Sequence, residues 1–560
     1  MAQENSAFFG IDLGTTYSAI AYIDEAGRPT VIRDQIGESD TIPSVVFFET
    51  ADNVVVGTGA RAMAKVSPAQ VIELVKRSMG KEVRWEFFGQ THTPESISAL
   101  ILRNLADYAA EFTGREVRQV VITVPAYFGM LERNATRTAG EIAGLEVVGI
   151  VPEPVAAALQ YEVVDGADEK TVLVYDLGGG TFDTTVIRIS AAEITVLVTD
   201  GDQTLGGADW DRRLVEHLRQ EVVAATGAGD DAAEDQQFEQ ELLITAEATK
   251  RLLSRAESRP VVLRYAGKPV RIELTRATFE QLTQDLLDNT IAITHRTLKL
   301  LGEKLGVSEP RGLIDEVLLV GGSSKMPAVA ARLTEEFGWQ PRLHDPDLAV
   351  AKGAARFALS RAVWHEPTDG ATRAAEPTAQ ERQERAERIQ RETGISAEVI
   401  AAVAEKRITN VLPKAFGIKL YDPRSGKGLD DPSAYFVQHL VHANDALPSG
   451  PHVLEAGTVV ANQTAVDIEI YEQAGSTESG DLSANKSVDH GRGTIEPLPP
   501  LPAGAPINIT MYIDDEGRLS VRAEEPSSRR DLTIHVQVNV LSDAEIEPLK
   551  QKIKTISVRS

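Results

Sequence analysis

The 560-residue chain contains no cysteine. Disulfides, thiolate metal sites and thiol nucleophiles are thereby excluded. It also lacks an excess of positive charge: 57 Lys and Arg stand against 83 Asp and Glu, a formal net charge of -26. So acidic a surface repels phosphate backbones and anionic lipid, and neither nucleic acid nor a membrane surface is an expected partner. No stretch approaches the roughly 18 apolar residues of a membrane span. No Lys or Arg precedes Arg28, so the basic start of a secretory signal is missing. A soluble, cytoplasmic protein is expected. The pattern G-x-x-x-x-G-K-[ST] is absent, so this is not a P-loop protein. GTGARA (57–62) loosely matches a dinucleotide-binding turn, but no strand ending in an acidic residue follows at roughly 20 residues, where ribose binding needs one.

The length exceeds what one core can organise, and about 150 residues per domain predicts three or four. Up to about residue 365, apolar runs of strand length (AFFGID, VVITVP, TVLVYD, DEVLLV) alternate with helical patterns such as 96–112 and 281–301. That mixture predicts an α/β domain of two lobes. Residues 366–411 change character. Thr378 and Glu381 form a capping box, and Glu381–Arg385, Glu384–Arg388 and Glu387–Arg391 are spaced i, i+4. No face of this helix is apolar, so a solvated spacer is expected. A second helix after Ser396 carries an apolar stripe of Ile395, Val399, Ile400 and Val403. From 412 to about 541 AVDIEIYE, INITMYID and RLSVRAEE alternate apolar and polar residues, as an antiparallel sandwich requires. Gly517 marks a hairpin turn in DDEGR.

One signal is doubled. GIDLGTT (10–16) and VYDLGGGTFD (174–183) share a strand, Asp, Leu, Gly and a small-residue turn. Such hairpin turns aim backbone N–H groups at a phosphate. Gly14, Gly178, Gly179 and Gly180 permit close approach, while Thr15, Thr16 and Thr181 add hydroxyls. Asp12 and Asp176, where the strands end, offer the hard oxygens that suit a hydrated Mg2+. VLLVGGSSKMP (317–327) runs a strand through Gly321 and Gly322 into a helix, so the backbone there can approach a base or ribose. Glu247, Lys250, Arg251 and Ser254 share one helix face, which taken alone is equally a solvated surface.

At these residues the chain resembles the heat shock protein 70 chaperones over nearly its whole length. GIDLGTTYSAIA, VITVPAYFGMLERNATRTAGEIAGLEVVGIVPEPVAAALQY, VYDLGGGTFDTTV, DQTLGGADWD, ATKRLLS and VLLVGGSSKMP follow in the family's order, with ANQTAVDIEIYE and IDDEGRLSV in the β region. The resemblance implies a two-lobed actin-like ATPase domain (1–365), a helical insert and linker (366–411), a β-sandwich for peptides (412–543) and a short tail (544–560). It implies ATP hydrolysis to ADP with Mg2+, controlling the capture of extended apolar segments of unfolded proteins. A J-domain protein and a nucleotide-exchange factor are the implied partners.

By position, Asp12, Asp176 and Glu153 resemble the carboxylates around hydrated Mg2+. Thr15, Thr16, Tyr17, Gly178 to Thr181, Gly206 and Gly207 resemble phosphate contacts. Lys76 and Asp183 resemble the groups that place the attacking water, with Thr181 beside them. Glu247, Lys250, Arg251, Ser254, Gly321, Gly322, Ser323, Lys325 and Asp347 resemble the adenosine clamp. Phe436, Val466, Ile468 and Ile507 resemble a peptide pocket; for each, plain sandwich core is the competing reading. Pro152 stands where the family has Asn, GGAD where it has GGED, and Lys325 where Arg is common. The family's Leu-rich linker strand is not visible, only NVLPKAFG after the inserted helices. The sequence after the sandwich is too short for the family's helical lid, so a lidless variant is expected. Two other readings remain: a nucleotide-controlled binding module that does not refold clients, and a small-molecule kinase on the same fold.

Overall fold

The computed structural model describes residues 8–34, 37–165, 169–190, 193–227, 234–364, 377–404, 407–515, 517–536 and 541–560. Residues 366–376 and 405–406 of the expected insert lie outside them.

The doubled sequence signal becomes a doubled sheet. The first sheet runs Glu146–Pro152, Gln119–Val124, Phe9–Asp12, Tyr17–Ile23 and Pro29–Val31, with Ile42–Pro43 also paired to Tyr17–Ile23. The second runs Arg342–Leu343, Glu316–Val320, Lys170–Leu177, Phe182–Ile189, Glu193–Asp202 and Arg407–Thr409. In each, a strand ending near an Asp lies parallel to one neighbour and turns back antiparallel to the next. Their central residues, such as Ile11, Ile122, Val174 and Leu318, are at most 1% exposed, as strands covered on both faces demand. Helix Pro94–Thr113 backs the first sheet. Thr93 caps it, accepting the Ser96 N–H at 3.3 Å, and Gly114 ends it at φ 65°.

Helix Ala349–Trp364 packs against Phe9–Asp12 and against helix Glu153–Asp165. Both crossings rest on glycine. A Cβ at Gly10 would overlap the backbone of Ala354 and Ala355, and one at Gly353 would overlap the Ala156 carbonyl. Glu153 opens the helix that Gly353 lets approach, so this packing positions a site residue.

Two four-stranded antiparallel sheets make the sandwich. One is ordered Tyr435–Val441, Phe416–Tyr421, Val466–Gln473, Asn485–Ile495; the other Ser449–Gly457, Pro506–Ile513, Leu519–Glu525, Arg530–Val536. Their alternating apolar residues, among them Ile418, Ile470, Ile509, Met511 and Val521, form one shared core.

Three sequence expectations are corrected. Helix Ala379–Thr393 has the predicted capping box, with the Thr378 N–H donating to Glu381 Oε2 at 2.7 Å. It is not solvated all round, however. Ile389 is 3% exposed, in a cluster with Leu359 and Val363 that Ala386 joins three residues earlier. One isoleucine in the last turn docks the helix without making a stripe. The linker strand also exists. Arg407–Thr409 pairs in parallel with Glu193–Thr195, and Thr409 Oγ1 donates to Glu193 Oε1 at 2.7 Å. Val411 and Leu412 then bury to 5% and 3%. Three residues between polar neighbours carry no periodicity; the open sheet edge makes them a strand. Finally, the segment after the sandwich folds as helix Asp543–Thr555 and strand Ser557–Arg559 against the first half of the chain. The second insert helix, Ala397–Ala404, docks through Ile400, with Ile395 buried just before it.

Replacing Gly353 by Ala is expected to separate the two helices and destabilise the ATPase domain by about 1–3 kcal/mol, as overpacking does. A lowered first transition in thermal unfolding, with the sandwich transition unmoved, is the outcome expected.

Candidate active site

The two Asp-bearing turns meet each other. A Cβ at Gly179 would overlap Thr16 Oγ1, and one at Gly180 would sit 2.6 Å from Thr15 Oγ1. The second turn is closed by the Gly178 N–H donating to the Thr181 carbonyl at 3.0 Å. It is tied to the start of helix Gly207–Thr226, where the N–H groups of Gly207 and Ala208 donate to the carbonyls of Gly178 and Gly179 at 3.0 and 2.8 Å. A Cβ at Gly206 would reach 2.5 Å from the Gly180 nitrogen. Gly14 is fixed by its N–H to Ser18 Oγ (3.1 Å) and its carbonyl to Ser44 Oγ (2.8 Å). Gly179 and Gly180 are therefore required by contact between the turns, and Gly206 by contact of the helix start with the second turn.

Beneath them lie buried carboxylates. Asp176, Asp183 and Glu153 are 6%, 2% and 8% exposed, and Asp12 accepts from Thr123 Oγ1 at 3.1 Å. Lys76, 4% exposed, donates to Glu153 Oε1 at 2.6 Å. It sits in the turn Val75–Ser78, entered through Leu74 in left-handed backbone at φ 58°. That conformation costs a non-glycine residue about 1–2 kcal/mol and is tolerated where the surroundings enforce it. Burial, then the charge of Glu153, pushes Asp12 up to about 7 and Asp183 up to about 8. Asp176 is raised well above its ordinary value by burial, Glu153, Asp183 and Asp12, while Lys76 opposes all three shifts.

Carboxylates crowded this way favour a further cation. Asp183 Oδ2 and Thr16 Oγ1 are buried without a hydrogen-bond partner. Among the described residues no three such groups converge as direct ligands of one ion. The donor set fits an ion held through its waters, as Mg2+ is commonly held.

On the other side, Tyr17 links the two halves. Its hydroxyl donates to Glu247 Oε1 at 3.0 Å and accepts from Arg251 Nη1 at 3.0 Å. Arg61 also donates to Tyr17 and pairs with Glu247. Lys250 Nζ donates to the Gly207 carbonyl and to Asp211 Oδ2, each at 2.8 Å. Ser254 Oγ bonds back to the Lys250 carbonyl at 3.2 Å, and Lys325 pairs with Asp347. Gly321, at φ 81°, lets the strand end pass so close to Asp176 that a Cβ would stand 2.5 Å from its Oδ1. Gly322 faces Asp347, and Ser323 is buried beside Gly207.

Sequence reasoning missed four members of this network. Arg61 lies inside GTGARA, weighed there only as a cofactor turn. Arg77 donates to the Gly180 carbonyl at 3.0 Å and to Asp209, across the cleft from its own sheet. Asp211 fixes Lys250, and Tyr127 holds Asp183 through a 3.0 Å N–H bond to Oδ1. Of these, Arg77 adjoins Lys76, and Tyr127 and Asp211 lie within the motifs VITVPAYF and DQTLGGADWD; only Arg61 lacked such a signal. In the sandwich, Ile468 and Ile507 are 2% and 1% exposed within the core, whereas Phe436 and Val466 are half-buried.

A cleft of abutting glycine turns over buried carboxylates, joined to a β-sandwich, defines a nucleotide-hydrolysing protein with a separate binding domain. The comparisons agree. A family model described as Hsp70 protein matches residues 8–88, 81–360 and 431–559. Chaperone protein DnaK from two strains of Halobacterium salinarum, R1 and NRC-1, is in each case 35% identical over 561 residues, covering 98% of this chain and 78% of the relative. The chain belongs to the Hsp70 family. It is an ATP-dependent chaperone and an ATPase, with an actin-like ATPase domain and a β-sandwich, and it binds nucleotide and unfolded client peptides. No helix among the described residues is long and apolar enough to cross a membrane.

The site touches the sandwich through the loop that holds Asp183. Tyr127 OH donates to the Gly475 carbonyl at 3.3 Å, and the Lys414 ammonium lies 5.2 Å from the Tyr127 ring centre. Three residues on, the Met130 N–H, at the start of helix Met130–Ile142, donates to Glu472 Oε1 at 3.4 Å. Burial, then repulsion from Glu132, pushes Glu472 up to about 7, with Lys414 and Lys486 opposing. A carboxyl raised in the fold contributes fully below its ordinary value of about 4.5, and that contribution is lost as pH rises through about 7. Glu472→Gln should therefore melt above the unmutated chain at pH 8, with the gap closing toward pH 5. Melting temperatures of both proteins across that range check it.

Proposed function

We propose that ATP with Mg2+ is held between the turns that follow Asp12 and Asp176, and that the two sheets act as lobes closing over it. The observation that carries this reading is the buried carboxylate cluster around Lys76 where the two glycine turns abut. Asp12, Asp176 and Glu153 hold the hydrated ion. The backbone N–H groups of Gly179 and Gly180, with Thr15, Thr16, Tyr17 and Thr181, bind phosphate oxygens, while Gly14, Gly178, Gly206 and Gly207, whose N–H groups are held by Ser18, Thr181, Asp209 and Gly178, shape the turns around them. Bound Mg2+ supplies positive charge against the phosphates. Lys76 Nζ, oriented by Glu153, donates to the attacking water, and Asp183 Oδ2, left without a partner, accepts from it. Glu247, Arg251, Ser254, Gly321, Gly322, Ser323, Lys325 and Asp347 enclose the nucleoside, and Lys250 braces Gly207 from behind. Residues 1–365 carry hydrolysis, 366–411 connect, 412–543 capture clients and 544–560 close the chain. A J-domain protein and a nucleotide-exchange factor are the proposed partners, in the cytoplasm.

Lys76→Ala is expected to slow single-turnover hydrolysis on the order of 10²–10³-fold while nucleotide affinity stays within severalfold, the signature of a group acting in the transition state. Asp176→Asn should weaken both. Normal hydrolysis in the Lys76 variant would remove that residue from the mechanism.

In the sandwich, Val466 and Phe436 form the accessible wall of the client site and Ile468 and Ile507 its floor, extended apolar segments lying across them. Val466→Phe should block a short apolar peptide and leave the melting temperature unchanged. Ile468→Phe should instead overpack the core and destabilise the sandwich by about 1–3 kcal/mol. Peptide affinity by fluorescence anisotropy, beside melting curves for both variants, separates the two roles.

A further inference from the structure

The sandwich is attached to the ATPase domain at both ends of its sequence, by bonds of different kinds. At its start, Arg407–Thr409 extends the second sheet. At its end, the chain crosses to the first half. Leu541, Ile553 and Ile556 are 3%, 1% and 2% exposed, and they lie in the same core as Val46, Ile101 and Leu105. Helix Asp543–Thr555 packs against helices Pro94–Thr113 and Met130–Ile142. Strand Ser557–Arg559 then adds in parallel to Asn53–Val56, with the Ser557 N–H donating to the Asp52 carbonyl at 2.8 Å. Arg103 donates to the carbonyls of Ile553 and Ile556 at 2.5 and 3.0 Å, satisfying groups that a helix end leaves open.

The face-to-face contact between the domains is mostly polar. Besides Met130, which enters the sandwich core, it includes bonds from the Thr199 N–H to Asn444 Oδ1 (2.8 Å), from Lys304 Nζ to the Asn444 carbonyl (2.7 Å), from Tyr127 to Gly475 (3.3 Å) and from Met130 to Glu472 (3.4 Å). Parting that face returns mainly polar groups to water. Parting the C-terminal segment would expose core isoleucines and an unpaired sheet edge together.

We propose that residues 541–560 are a permanent strap, which keeps the sandwich attached to the first half of the ATPase domain in every nucleotide state. The last sandwich strand ends at Val536 and the strap is anchored from Leu541. Five residues span at most about 18 Å, so that end of the sandwich cannot travel further. ATP therefore acts on a sandwich that rocks or reshapes in place, while the polar face opens and closes.

The absence of cysteine makes this directly testable, because an introduced pair has no other thiol in the chain to bridge to. Asn53 and Ser557 are register partners across the added strand. In full-length Asn53→Cys, Ser557→Cys protein, the disulfide should form at the same rate, within twofold, in ATP and in ADP. The oxidised and reduced forms should then release a short fluorescent apolar peptide with the same ATP-to-ADP ratio of rates, within twofold. Amide hydrogen exchange of the unmutated chain should show equal protection of Val558 and Arg559 in ATP, in ADP, and in ADP with peptide. Failure of the pair to oxidise, oxidation confined to one nucleotide, a peptide response lost on crosslinking, or protection falling more than tenfold in any state overturns the strap.

Discussion

Four carboxylates, Asp12, Glu153, Asp176 and Asp183, share one buried space with the ammonium of Lys76, and most of the ATPase domain can be understood as what forces them there. Left to solvent, these groups would separate. Burial and mutual repulsion raise three of them, Asp12 to about 7, Asp183 to about 8 and Asp176 well above its ordinary value. A fold tolerates that only if other terms hold the backbone in place. Here those terms are two sheets whose central strands are covered on both faces, and a helix, Ala349–Trp364, seated on Gly10 and Gly353. The strain is stored at the site, and the apolar cores around it supply the compensation.

The same constraint explains the glycines. For Asp12 and Asp176 to face one space, two turns from different sheets must come into contact. Side chains at Gly179, Gly180 or Gly206 would occupy the volume where threonines and backbone now meet. Close approach also ties up the N–H groups of Gly14, Gly178, Gly206 and Gly207 within the turns, so those of Gly179 and Gly180 are the ones left to complement phosphate charge. The proposed cation and anion sites are thus two consequences of one packing arrangement.

What was legible in the sequence follows from range. The doubled turns were readable because strand, Asp, Leu, Gly and Thr act on one another within seven residues. The capping box at Thr378 and Glu381 is local too, and it formed as read. Ile389, Arg407–Thr409 and Arg61 were not readable, because each acquires its role from a partner far along the chain: Val363, Glu193 and Glu247. Lone residues leave no period. The face of Glu247, Lys250, Arg251 and Ser254 shows the intermediate case, since helical spacing grouped them correctly but could not show that Lys250 turns inward to Gly207 while Arg251 reaches Tyr17.

The candidate site and the sandwich are only one residue apart. Tyr127 presents its backbone N–H to Asp183 in the ATPase site and its hydroxyl to Gly475 of the sandwich. Both bonds belong to one residue, so a single residue spans from the cleft to the sandwich. The next bond along, from the Met130 N–H to Glu472, lies at a helix start, where an ionised carboxylate interacts favourably with the helix dipole. Burial and Glu132 oppose that charge. The charge on this carboxylate is thus opposed by its surroundings and favoured by the helix start and by Lys414, so the contact is sensitive to any change in its own burial.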